Sequence, residues 1–261
     1  MKKKNLVIGA MLALLVGGCA SNPDYSDGSG NQEINLEAGK YDESPANLFI
    51  QLAYAYLREG DVNTALINAE KAVEKDPSNP NAHNILALLY QRLGQPTKAE
   101  QEYREALSIA PNDPYINNAY GGFQCELKNL DKAMIHFKKT INHPLYRDKW
   151  IPMTNIGICA LRMDNLELAQ EYFRKALQIN GKFRIALYNM IEVSVLQEKY
   201  MSARAYLQRY LEVGEHDSKT LWWGIQTEKV LGDRDRLDSY RLLLRVKFPD
   251  SEEAHLLMAD K

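Results

Sequence analysis

Cysteine is scarce in this chain, with Cys19, Cys125 and Cys159 alone among 261 residues. The five histidines, His83, His136, His143, His216 and His255, include no pair at metal-ligand spacing and no HExxH run. P-loop, GxGxxG and GxSxG patterns are missing too. Carboxylates are plentiful, but at helical spacing they read as solvated faces. No catalytic residue, metal, cofactor or small-molecule substrate is therefore expected. A basic excess is also lacking: the formal net charge is −2, so the chain has no stripe for a phosphate backbone, and nucleic acid is not an expected partner. Long apolar runs are lacking as well. The stretch from Leu6 to Val16 is too short for a permanent membrane span.

That stretch has a different meaning. Lys2, Lys3 and Lys4 precede it, and the small residues Gly17 and Gly18 follow, giving the three regions of a secretory signal over residues 1–18. Cys19 comes directly after, as in the lipobox of bacterial lipoproteins, with Val16 where leucine is commoner. That resemblance implies acylation of the Cys19 thiol, and Ala20 in place of an aspartate implies the outer membrane, on its periplasmic face. Loss of the three lysines leaves 29 basic against 34 acidic side chains in the mature protein. Residues 19–45 follow as the lipidated terminus and a tether of Ser, Asn, Asp, Gly and Glu. So few apolar residues cannot offset chain entropy, so disorder is expected there.

From Ala46 the chain repeats every 34 residues. Leu52 aligns with Leu86, Tyr56 with Tyr90, Gly60 with Gly94, Ala65 with Ala99, Ala72 with Ala106 and Pro77 with Pro111. The period resembles the tetratricopeptide repeat, a helix-turn-helix unit. Apolar residues mark one face of each helix, small ones allow close approach, glycine makes the turn and proline ends the second helix. The predicted units are 46–79, 80–113, 114–147, 150–183, 184–217 and 218–251, with 252–261 as a C-terminal cap or tail. The third runs long at its end, through His143-Pro144-Leu145-Tyr146-Arg147-Asp148-Lys149. Such units bury their faces only by stacking, so the expected fold is all-α, a right-handed superhelical solenoid of about six units with the first helices lining a concave surface.

With Cys19 committed to lipid, Cys125 and Cys159 remain as an even pair in an oxidising compartment. They fall on consecutive first helices, at positions 12 and 10 of units three and four. Side-by-side stacking brings the thiols within reach of a disulfide; the alternative is two buried free thiols acting as small hydrophobes. Gly121-Gly122 lies inside a first helix, where it allows close packing. Trp222 and Trp223 read as core at the end of the array. The concave face draws on positions 2, 5, 9, 12 and 13 of each unit. Ile50, Tyr54, Leu57 and Leu88 there suggest an apolar groove for a peptide or helix. The competing reading packs the same residues on the neighbouring repeat. Ile50 and Tyr54 occupy the positions where chaperone-clamping repeats carry Lys and Asn, which argues against a clamp of that kind.

Tyr120-Gly121-Gly122-Phe123-Gln124-Cys125, then His143-Pro144-Leu145-Tyr146, then Asn155-Ile156-Gly157-Ile158-Cys159 resemble the type IV pilus pilotin lipoproteins, the PilF/PilW family. The resemblance covers nearly the whole mature chain. It implies a binding protein that attaches to a secretin subunit, travels with it to the outer membrane and promotes assembly of the secretin ring. Ile50, Tyr54, Leu57 and Leu88 are then the expected secretin contacts. Two other readings are a lipoprotein of the outer-membrane β-barrel assembly machinery, which gives no reason for the cysteine pair, and a peptidoglycan-associated enzyme or scaffold, which needs a cleft of clustered acids.

Overall fold

A computed structural model describes residues 44–259. The signal segment 1–18, Cys19, all of the expected tether before Ser44, and the last two residues lie outside the described residues. The described residues form thirteen helices and no strand. Six antiparallel pairs follow one another: α1 (Pro45–Arg58) with α2 (Val62–Lys75), α3 (Pro80–Arg92) with α4 (Pro96–Ile109), and α5 (Pro114–Glu126) with α6 (Leu130–Asn142). Then come α7 (Trp150–Leu161) with α8 (Leu166–Ile179), α9 (Arg184–Leu196) with α10 (Tyr200–Tyr210), and α11 (Ser218–Leu231) with α12 (Arg234–Lys247). A last helix, α13 (Glu252–Ala259), packs on α11 and α12, where Ala254 and Leu257 join Leu221, Ile225 and Leu244 in the terminal core.

Local chemistry sets the helix limits. Three of the first helices begin with proline at the position whose N–H has no intrahelical partner anyway. The residue before each supplies a cap: the Ser44 hydroxyl accepts from the Asn47 N–H at 3.3 Å, Asn79 Oδ1 from the Asn81 N–H at 3.0 Å, and Asp113 Oδ1 from the Tyr115 N–H at 2.8 Å. Asp217 and Thr220 form a reciprocal capping box at α11. Within every pair the turn passes through one left-handed residue. These are Gly60, Gly94, Lys128, Asp164, Glu198 and Gly232, with φ of 83°, 66°, 60°, 56°, 57° and 82°. Glycine takes that conformation without steric cost, whereas Lys128, Asp164 and Glu198 carry a Cβ into it.

The helix contacts define the inner and outer faces. Each first helix touches the next first helix along the array, α1 on α3, α3 on α5 and so on to α11 on α13. Among the described residues no second helix touches another second helix. First helices therefore crowd the inner, concave side, and second helices fan outward. Between the two layers runs a continuous core in which size is matched. An added Cβ at Gly121 would meet the Phe137 ring at 2.8 Å, and one at Gly157 would meet the Phe173 ring at 2.5 Å. Glycine at these two positions lets each phenylalanine lie against the backbone of the first helix. Gly122 differs: a Cβ there meets nothing within 4 Å. The sequence expectation of close packing thus applies to Gly121 and not to its neighbour. Trp223 is buried and Trp222 half-buried, both packed into the last cores.

Three cross-links tie units together. Cys125 on α5 and Cys159 on α7 form a buried disulfide with a Cα–Cα distance of 5.5 Å, closing a loop of 34 residues. It sits where the connection between pairs lengthens to residues 143–149, against 76–79 or 110–113 in the earlier units. That long loop is itself held, because Tyr146 is buried and meets Tyr115 edge-on at 5.5 Å between ring centres. Further along, the Arg204 guanidinium on α10 binds the Glu228 carboxylate on α11 two-pronged, Nε to Oε1 at 2.9 Å, with Glu228 buried. In unit two, His83 bridges α3 to α4 and the preceding loop, Nδ1 lying 2.7 Å from Glu102 Oε2 and Nε2 2.9 Å from the Pro77 carbonyl.

Two stability measurements check this account. Gly121→Ala should destabilise by about 1–3 kcal/mol, since Phe137 must move, while Gly122→Ala should gain roughly 0.5–1 kcal/mol from lost unfolded-chain entropy. Equal effects of the two in chemical denaturation would contradict the packing described. Removing the disulfide with Cys125→Ala and Cys159→Ala should cost about 3–4 kcal/mol in the same assay, on the chain-entropy estimate for such a loop.

Candidate functional site

The inner surface is built from equivalent residues of successive first helices, and its central row is position 9 of each unit. Reading along the array, that row is Tyr54, Leu88, Gly122, Ile158, Glu192 and Gln226. Tyr54 and Leu88 are half-buried, pack on the core of the first two units, and leave part of each side chain facing the groove. Leu57, one turn further along α1, is placed likewise. The row is therefore apolar over the first two units, empty of side chain at Gly122, and polar by Glu192.

Ile50 is the correction to the predicted contact set. It is only 6% exposed and belongs to the core with Ala53, Ala82 and Ile85. At position 5 the side chain turns toward the next first helix, so the competing reading holds for this residue. Asn84, the equivalent residue of unit two, turns inward in the same way, although its position reads as concave face. Asn84 is buried and its amide hydrogen-bonds the Tyr54 hydroxyl, while its Oδ1 has no hydrogen-bond partner among the described residues. Burial, the larger influence, pushes the Tyr54 hydroxyl up to about 12, and Asp113 nearby adds to it. The half-buried apolar surface of Tyr54, Leu57 and Leu88 suits a segment that presents aliphatic side chains.

The far end has a different character. The Tyr188 hydroxyl bonds Asp217, and burial first, then that carboxylate, hold it well above the ordinary tyrosine range. Its ring stands edge-on to Trp223 at 5.0 Å between centres. Glu192 lies in the same stretch. Burial raises its carboxyl above the usual range, with Lys219 pulling the other way. No group of three or more His, Cys, Asp or Glu among the described residues is placed to hold a metal ion. On the outer side, Pro96, Thr97, Glu100, Gln124 and Lys132 border a shallow cavity of about 310 Å³. The Glu100 carboxylate there already accepts from the Tyr120 hydroxyl and Gln124 Nε2, each at 2.8 Å, and from Arg104 Nε at 2.9 Å. Its acceptor capacity is spent on structure. Cys19 lies outside the described residues, and among those described no helix is long and apolar enough to cross a membrane.

Tetratricopeptide-repeat family models match residues 50–114 and 153–183. The type IV pilus assembly protein PilF of Pseudomonas aeruginosa is 30% identical over 251 residues, covering 96% of each chain. The chain belongs to the PilF/PilW family. Its solved members superpose along most of the array. The Pseudomonas aeruginosa PilF structure has a TM-score of 0.73 at 32% identity, covering 83% of this chain and 98% of its own. PilW, described as a widely conserved type IV pilus biogenesis factor, has a TM-score of 0.75 at 31% identity, covering 82% and 98%. Family membership thus extends to the whole helical array, with inner row and outer helices in the same order.

The electrostatics of the polar end of the groove give a test in a PilF/PilW-family fold. Folded Glu192 keeps its proton to higher pH than in the unfolded chain, where a glutamate titrates near ~4.3. Its contribution to stability is full below that value and is lost as pH rises through the folded one. Glu192→Gln should therefore be more stable than the parent at neutral pH and should flatten this limb of the stability curve. Thermal melts from about pH 4 to about pH 7 check it; parallel curves for the two proteins would contradict the burial argument.

Proposed function

We propose that this protein is the pilotin of a type IV pilus, an outer-membrane lipoprotein on the periplasmic face that binds the secretin subunit and promotes its localisation and multimerisation. The carrying observation is the inner row, where half-buried Tyr54, Leu57 and Leu88 lead to open space at Gly122, in a chain aligned end to end with type IV pilus assembly protein PilF. It acts by binding and needs no chemistry of its own. A secretin segment lays aliphatic side chains on Tyr54, Leu57 and Leu88 and passes over the gap at Gly122. Covering such side chains contributes roughly 25 cal/mol per Å² of apolar surface.

Delivery is assigned to Cys19. Each buried methylene of an acyl chain contributes about 0.8 kcal/mol, so several chains attach the array to the membrane almost permanently. A groove of modest affinity then works through high local concentration of partner and membrane. The secretin rides with its anchored carrier and meets other subunits at the bilayer.

The test uses a variant that blocks the groove and spares the fold. Gly122→Leu puts a side chain into open space on a helix, so stability should hold or rise. Heat-resistant secretin multimers in a complemented deletion strain should nevertheless fall by about tenfold or more, the effect of losing roughly 1.4 kcal/mol of binding. Leu88→Glu should act in the same direction. Multimers at the normal level in both variants would remove the groove from the mechanism. Failure of β-barrel insertion in the deletion strain would instead favour the barrel-assembly reading.

A further inference from the structure

Unit three departs from the rest of the array in shape, and among the described residues its cations are unpaired. Between residues 128 and 149 stand Lys128, Lys132, Lys138, Lys139, Arg147 and Lys149, against Asp131 and Asp148, in a chain whose overall balance is −2. Outer helices α2 and α8 mix their signs, with Glu70, Lys71, Glu74 and Lys75 on the first and Glu167, Glu171, Arg174 and Lys175 on the second, whereas α10 and α12 are also basic but hold Arg204, Arg236 and Arg241 in ion pairs. On α6, Lys132, Ile135, Lys138 and Lys139 fall at helical spacing and share one face. All four are exposed, Ile135 by 57%. Among the described residues none of the six cations makes an ion pair.

Past the end of α6 a second exposed aliphatic stands beside cations. Leu145 is 83% exposed, the most exposed large apolar side chain among the described residues. It does not sit on a loose tip. Its neighbour Tyr146 is buried against Tyr115, and the loop closes on itself through the Tyr146 N–H to the His143 carbonyl at 3.3 Å and the Lys149 N–H to the Arg147 carbonyl at 2.9 Å. The fold thus holds an aliphatic side chain out into solvent beside Arg147 and Lys149. With α6 about 20 Å long, its exposed face and this loop together present cations with aliphatics among them.

We infer that this face lies on an anionic membrane surface, with Lys132, Lys138, Lys139 and Arg147 over acidic headgroups and Ile135 and Leu145 dipping between them. Three features favour lipid over an acidic protein segment. The cationic face lies on a second helix, in the outer, convex layer. Exposed aliphatics stand among the cations, and a surface seated at the headgroup–acyl boundary draws on both apolar burial and attraction to anionic lipid. The cation count falls in the range that recognises anionic bilayers. The orientation also has a consequence: α6 against the bilayer turns the inner row of first helices away from it, leaving the groove open to a partner. The inference goes beyond the pilotin reading and is independent of lipid on Cys19.

Cosedimentation tests it, using the chain from Cys19 onward with Cys19→Ser so that no acyl group contributes. The protein should sediment with vesicles of phosphatidylethanolamine and phosphatidylglycerol and remain in solution with phosphatidylcholine alone. Lys132→Gln, Lys138→Gln and Lys139→Gln together should weaken binding by about a hundredfold, on the order of fivefold per cation, with helical content by circular dichroism unchanged. Leu145→Ser should reduce the binding that survives high salt. Equal sedimentation of parent and triple variant, or none with anionic vesicles, overturns the inference. Retention on poly-glutamate without vesicle binding overturns it in favour of an acidic protein partner.

Discussion

The match of a small residue on a first helix with a ring on its second helix sets the geometry of the middle of the array. Gly121 faces Phe137 and Gly157 faces Phe173, in each case sixteen residues on. Ala87 shares a core with Tyr103 at the same interval, and the first unit uses Ala53 and Ala69. Because the interior is close-packed, the ring can lie flat on the first helix only where nothing projects from it. That contact fixes the spacing within a pair. The remaining faces of the first helices then fix the spacing between pairs, and the inner row follows from both.

The two layers serve different chemistry for the same reason. First helices touch one another, so their inward side chains are half-buried and can offer apolar surface without full exposure. Second helices touch only first helices, so their outer faces are free to carry charge. Where unit three meets unit four, the longer loop from 143 to 149 would loosen the stack. The Cys125–Cys159 disulfide and the buried Tyr146 counter that at one place. The lengthened loop leaves Leu145 exposed, so one insertion both lengthens the connection and furnishes a feature of the surface.

Much of this was legible beforehand because a repeat states its own frame. The aligned Leu, Tyr, Gly, Ala and Pro positions each serve a local need, whether turn, helix end or close approach, and local needs are written locally. Residues whose role depends on a neighbouring unit were harder. Ile50 reads as groove by position and is core, because α3 lies over it. Gly121 and Gly122 look alike in sequence, yet one faces a ring and the other open space. Asn84 likewise reads as concave face by position and is buried. The left-handed turns at Lys128, Asp164 and Glu198 were hidden as well, since the stacked helices impose there a backbone that the local residue does not favour.

The sequence by itself determined the helical class, the period, the unit frame and the pairing register. These rest on side-chain size and backbone preference at short range. It also carried the family, through the residues around the two cysteines. The tertiary structure alone decided which apolar side chains stay available and that one outer helix carries an unpaired basic face. Availability is a difference between a side chain and everything packed against it, and that sum exists only once the units are stacked.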